Sequence, residues 1–267
     1  MSSVPLRRLA PPRTRRRRSS ATPPLRGILP LAVALALWQI FGSDQSVFYP
    51  RPSSWWHALA TLNDSGVLWS AIRSTLVTLL LAMAVATAIG ASLGYLIGRS
   101  RLADRSLSPT LEVMRAMPPA AIVPAFLILL GFGRGMSITV VTLASVWPIL
   151  LNTRTGARSL NVVLLESARS LHLSPLARAR KVVLPALLPS IFLGVRVAAP
   201  IALVVTLLVE FLVQFYGVGA LIASAQRDYL SAKVYGLAVV AGVFGLVLNS
   251  LVALLENFAL RHHAPNR

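Results

Sequence analysis

The sequence predicts an all-α polytopic membrane protein with six transmembrane helices. Three observations point there. The mean hydropathy is +0.70, and 13% of the 267 residues are charged, against about a quarter in ordinary globular domains. Apolar residues gather in runs of about 20, the length a helix needs to cross ~30 Å of hydrocarbon. A membrane β-barrel would instead alternate over ~10-residue segments, and no such segments occur.

The elements follow in order. Residues 1–26, with RRLAPPRTRRRRSSATPPLR, have almost nothing to bury and read as a disordered basic tail. The run 27–42 (GILPLAVALALWQIFG) has the basic flank and short core of a signal peptide. It ends in Trp38-Gln39-Ile40-Phe41 with no small-x-small cleavage site, so a retained first helix is expected. Residues 43–67 are polar and rich in turn formers, and are expected as an extracytoplasmic loop. The core 68–257 holds five more apolar segments, at 70–98, 112–132, 136–151, 191–213 and 234–256, with a long loop at 152–190 and a polar end at 258–267.

Charge gives the orientation. With the N-terminus cytoplasmic, 19 of the 26 Lys and Arg residues fall inside and five outside, while Arg115 and Arg196 lie within or near helix ends. That asymmetry places both termini in the cytoplasm. The net charge of +18 is therefore mostly a topology signal. A nucleic-acid role lacks a recognition motif.

Several residues stand out within the spans. Ala82, Ala86, Gly90, Gly94 and Gly98 form a small-residue stripe that lets another helix approach closely, within the chain or in a homodimer. Met117-Pro118-Pro119 and Pro124 must break or kink the third segment, so Pro118 and Pro119 either line the pathway or form a structural kink. Glu210, in VTLLVEFLVQF, is the deepest ionisable residue. It is either partnered with another helix or part of the pathway. Arg115 and Arg196 either snorkel to the interface or hold an anionic substrate.

Catalysis finds no support. The sequence has no cysteine, so disulfides and thiol chemistry are excluded. Neither Lys181 nor Lys233 follows a glycine, so a P-loop is absent. His57, His172, His262 and His263 have no metal-ligand spacing with carboxylates, and no Gly-x-Ser-x-Gly elbow occurs. This chain is expected to be no enzyme and to hold no metal or cofactor of its own.

The loop 152–190 has helical character. Leu164, Leu165, Ala168 and Leu171 recur at helical spacing, and Ser174-Pro175 reads as an N-cap followed by proline at the first helical position. A second short helix, LARARKVVL, is expected to run until Pro185 interrupts it. Neither helix is stable alone at this length, so each needs the membrane surface or a partner protein.

Glu166-Ser167-Ala168, then His172, then Val182, Leu184 and Pro185, resemble the EAA loop of permease subunits of binding-protein-dependent ABC importers. The spacing is that of the family, without a gap. Ser167 replaces an alanine, and His172 replaces a glycine that would adopt φ > 0 without cost. Outside the loop, Tyr49-Pro50-Arg51-Pro52-Ser53, Arg115-Ala116-Met117-Pro118-Pro119, Asn152-Thr153-Arg154-Thr155-Gly156, Gly194-Val195-Arg196 and Gly217-Val218-Gly219 look like the sulfonate, taurine and nitrate branch.

The resemblance implies a type I ABC importer permease fold in a bacterial plasma membrane. It also implies a homodimer whose EAA loops dock into two ATP-binding subunits, with ATP held there, and an extracytoplasmic solute-binding protein that delivers the solute. Glu166 is implied as a contact at the ATPase cleft. Without the resemblance, Glu166 reads as a helix acid paired with Arg169. The competing class is a secondary transporter or channel acting without an ATPase, which leaves the paired loop helices unexplained.

Overall fold

The structure, a computed structural model, describes residues 25–44 and 46–261. Most of the expected tail, together with His262 and His263, lies outside the described residues. Two units are distinguished, divided after Phe41. The described part of the first is α1 (Leu25–Phe41), an apolar helix with Pro30 inside it.

The second unit opens with turns and then α2 (Pro52–Asp64). The segment expected as a loop over 43–67 thus carries a helix. Pro52 sits at its start, where a missing N–H costs nothing. Trp55 is buried and stacks on Tyr235 with ring centroids 5.3 Å apart. Leu59 and Leu62 follow on the same face, against the cluster of Leu68, Ala71, Val218 and Leu237.

Three long helices form the centre of the unit, α3 (Val67–Arg99), α6 (Arg134–Arg158) and, after the loop, α9 (Leu184–Val213); the shorter α4 (Arg101–Arg115) and α5 (Pro119–Leu130) lie between α3 and α6 in the chain. With α11 (Ser231–Leu260), the long helices supply four segments long and apolar enough to cross a membrane, or five if α4 and α5 count as one bent span. The apolar segment expected as a single helix over 112–132 is instead a pair bent by 90°. Proline disfavours the α conformation for the residue before it, and Pro118 is extended (φ −68°, ψ 124°) ahead of Pro119.

α6 lies between α3 and α9, and small residues set the distance. A Cβ on Gly94 would fall 2.6 Å from the Leu150 carbonyl oxygen and 2.9 Å from Thr153 Cβ, and one on Gly90 would fall 3.0 Å from Ile149 Cβ. From the other side, a Cβ on Gly194 would sit 2.7 Å from Ile149 Cα. The Ala/Gly stripe is therefore occupied by α6 of the same chain. Leu79, Val140, Val141 and Val209 are fully or almost fully buried in the core these helices share.

The loop resolves into α7 (Val162–Ser170), α8 (Pro175–Arg178) and a π turn, Ala179–Val183, that runs directly into α9. Helical structure continues from Pro175 to Val213, so Pro185 does not interrupt it. The reason lies in the π turn: the Leu184 N–H bonds to the Ala179 carbonyl, five residues back. That shift of register falls just before the proline whose donor is missing. A short α10 (Val218–Arg227) precedes α11.

Candidate functional site

The loop helices are positioned by caps and by a small apolar core. The Asn161 side chain accepts from the Val163 N–H at 2.9 Å and starts α7. Leu165 and Ala168 turn inward and are buried. Leu165 joins Ala157, Val183, Leu187 and Ile191 beneath the loop. Glu166 and Ser167 face out, as do Leu164, Leu171 and Leu176. Val182 is half-buried in the π turn, and Leu184 is exposed at the head of α9 beside half-buried Pro185. Among the described residues Glu166 makes no ion pair, and it lies outside the first turn of α7. Neither the Arg169 pair nor the helix dipole accounts for it.

α7 ends in a Schellman motif. His172 N–H donates to the Arg169 carbonyl at 2.9 Å and Leu173 N–H to the Ala168 carbonyl at 3.3 Å. His172 occupies the left-handed position, φ +53°. Ser174 then caps α8 by accepting from the Ala177 N–H. The left-handed conformation costs an L-residue about 1–2 kcal/mol, while glycine adds about 0.5–1 kcal/mol of unfolded-chain entropy. His172→Gly is therefore expected to fold and assemble as wild type, with thermal unfolding nearly unchanged. Loss of assembly with normal unfolding would show that the imidazole itself is a contact.

At the corner between α4 and α5 lies a cleft of ≈ 430 Å³. Arg115, Met117, Pro119, Trp147, Asn152 and Ile201 line it. It is apolar apart from Arg115 and Asn152, and among the described residues Arg115 has no carboxylate partner. Pro119 lines this cleft, and Pro118 caps α5 beside it. Arg196 and Glu210 lie elsewhere. Arg196 pairs with Glu256 of α11 at 3.4 Å.

Glu210 is buried near the end of α9, where its carboxylate organises the start of α10. Oε2 accepts from Thr75 Oγ1 at 2.9 Å and from the Gly219 N–H at 3.1 Å. Thr75 Oγ1 in turn accepts from the Val218 N–H at 2.9 Å. A carboxylate at a helix N-terminus satisfies donors that the helix leaves unpaired. Gly217 makes the approach possible: its φ is +94°, and any Cβ there would overlap the Glu210 carboxyl.

One residue escaped the sequence reading. Asp104 of α4 is buried and pairs with Arg154 and, at 3.1 Å, with Arg158, both on α6. Ser108 completes the cluster by donating to the Asp104 carbonyl while accepting from Arg154. The signal available was rarity, since the chain has only eight acidic residues. The partner lies fifty positions away.

Residues 86–260 match the family described as binding-protein-dependent transport system inner membrane component. Among similar proteins, one named as an aliphatic sulfonates transport permease, SsuC of Bacillus subtilis, is 30% identical, with 89% of this chain and 87% of that protein covered. The bicarbonate transport system permease protein CmpB of Synechococcus elongatus is 32% identical over 90% of this chain and 89% of its own. The nitrate import permease protein NrtB of Leptolyngbya laminosa is 30% identical over 87% and 88%. A chain of the MetNI methionine ABC transporter in an inward facing conformation superposes with a TM-score of 0.62 at 17% identity, covering 74% of this chain and 98% of that one. That likeness is one of fold.

Proposed function

We propose, since the chain belongs to the family of binding-protein-dependent transport system inner membrane components, that it forms the pathway of an ATP-driven importer for a small anionic solute. As a permease subunit of that family it works in an inner membrane and is not the catalytic part of the system. ATP would bind and be hydrolysed on a separate ATP-binding subunit, and an extracytoplasmic solute-binding protein would deliver the solute. Two copies of the chain would face each other across the pathway. The excess of Lys and Arg on one side supports a topology with both termini in the cytoplasm.

The observation that carries the coupling role is the outer surface of α7 and α8. Leu164, Leu171 and Leu176 are exposed on the segment that also carries exposed Glu166, and the inner face of that segment is already buried. An apolar patch ringed by polar groups marks a protein contact. We assign Glu166, Ser167, Ala168, His172, Val182, Leu184 and Pro185 to this coupling element, with buried Ala168 on its inner side. A secondary transporter would have no use for such a patch.

The solute class rests on the relatives' names and on the cleft. Sulfonate, bicarbonate and nitrate are all small anions, and Arg115 is a single cation among apolar walls. Pro119 lines that wall, and Pro118 precedes it as the cap of α5. Glu210 and Arg196 have partners elsewhere and would act on the pathway only through helix placement.

The test is co-expression of the full chain with an ATP-binding subunit of this transporter class from the same genome. Wild type is expected to retain the ATPase through purification. Glu166→Ala is expected to reach the membrane normally but lower solute-stimulated ATP hydrolysis about tenfold or more, as for loss of a charge-assisted contact. A folded chain that never retains an ATPase, yet transports without ATP, would replace this reading with the secondary transporter.

A further inference from the structure

A second cavity, of ≈ 490 Å³, lies where α3 meets α4, against the inner edge of α7. Arg99, Arg101, Arg105 and Arg158 line it, with Val162 and Leu165 of the coupling helix on the far wall. The one carboxylate present is Asp104, which Arg154 and Arg158 already engage. Among the described residues Arg99, Arg101 and Arg105 have no ion-pair partner. Ser100 caps α4 and orients the N-terminus of that helix toward the same corner, adding positive potential.

From the arrangement of these four arginines around one cavity, we propose that it binds a tetrahedral oxyanion of the phosphate type, next to the coupling helix and separate from the Arg115 cleft. Guanidinium groups match phosphate oxygens in forked geometry, and Arg99, Arg101 and Arg105 are exposed at the cavity with their donors open to an incoming anion. At the end of a membrane-spanning helix, the two sources are an anionic phospholipid headgroup and a free phosphate or sulfate. Either would tie α3 and α4 to α7, so occupancy would stiffen the base on which the coupling helix rests. The site makes no demand on the identity of the transported solute.

The experiment is thermal unfolding of the full chain in neutral detergent at constant ionic strength. One arm titrates dihexanoyl phosphatidylglycerol against dihexanoyl phosphatidylcholine. The other titrates sodium phosphate and sodium sulfate against chloride. A saturating rise in the unfolding midpoint with phosphatidylglycerol, absent with phosphatidylcholine, is expected. The variant R101Q/R105Q breaks no ion pair among the described residues and is expected to weaken the effect ~10-fold or abolish it. The control Arg180→Gln, a basic residue outside the cavity, is expected to leave it unchanged.

A rise with phosphate or sulfate alone assigns the site to a free anion, and a rise with phosphatidylglycerol at far lower concentration assigns it to lipid. No effect beyond chloride overturns the proposal. So does a full effect in R101Q/R105Q. If the anions do nothing and R101Q/R105Q instead loses the ATPase, the cluster is a protein contact and the proposal fails while the importer reading stands.

Discussion

Gly94→Leu is expected to leave almost no correctly folded protein in the membrane. The position faces backbone, not a movable side-chain tip: a Cβ would stand 2.6 Å from the Leu150 carbonyl oxygen and 3.1 Å from the Arg154 nitrogen. α3 and α6 could accept leucine only by separating, and α6 is already held on its other side where Gly194 meets Ile149. Interiors yield poorly to added volume. The cost is on the order of 3 kcal/mol or more, a large part of a marginal stability. Yield after size-exclusion chromatography in detergent, beside Gly94→Ala and Gly135→Leu, is the measurement. Gly135 has open space at its Cβ position, so its leucine variant should behave as wild type. Normal recovery of Gly94→Leu would mean that the close contact is not maintained in the membrane.

The second large effect concerns Glu210, and it separates shape from charge. Glu210→Ala removes the acceptor for Thr75 Oγ1 and the Gly219 N–H, both buried with it. Leaving such groups unpaired costs roughly 2–5 kcal/mol. The start of α10 should loosen from α3 and α9, and thermal stability should fall sharply. Glu210→Gln keeps one carbonyl oxygen in the same place, where it can accept both bonds. It is expected to fold and to support transport close to wild type. If Glu210→Gln is stable but transport-dead, the negative charge itself serves the pathway, and the capping role described above is incomplete.

What the sequence disclosed and what it hid differ in physical kind. Spans over 70–98, 136–151, 191–213 and 234–256 were legible because hydropathy is a property of each segment alone. The Ser174-Pro175 cap was legible for the same reason, since its chemistry is local. The helix break was legible at Pro118 and Pro119, while the break expected at Pro185 does not occur, although the residue is identical. At the first site two consecutive prolines enforce an extended link; at the other a π turn absorbs the register change. The α2 helix was missed because its apolar face, Trp55, Leu59 and Leu62, is diluted by polar neighbours. That face becomes meaningful only against residues near 68 and 237. Asp104 and the Thr75 bridge to Glu210 were beyond reach, their partners being 50 and 135 positions away. No local pattern encodes such pairs.

The unbroken run from Pro175 to Val213 has a mechanical consequence. Its 39 residues make a rod of about 58 Å at 1.5 Å per residue. One end carries the surface proposed above to meet an ATP-binding subunit; the other carries Glu210, on which α10 is hung. A stroke applied at the first end need not pass through side-chain contacts to be felt at the second, because a single covalent backbone joins them. Compliance is concentrated where backbone hydrogen bonds are rearranged or missing, at the π turn and at Pro189 and Pro200. If the proposed coupling holds, those three seams would set how much of a displacement arrives as translation and how much is lost as bending.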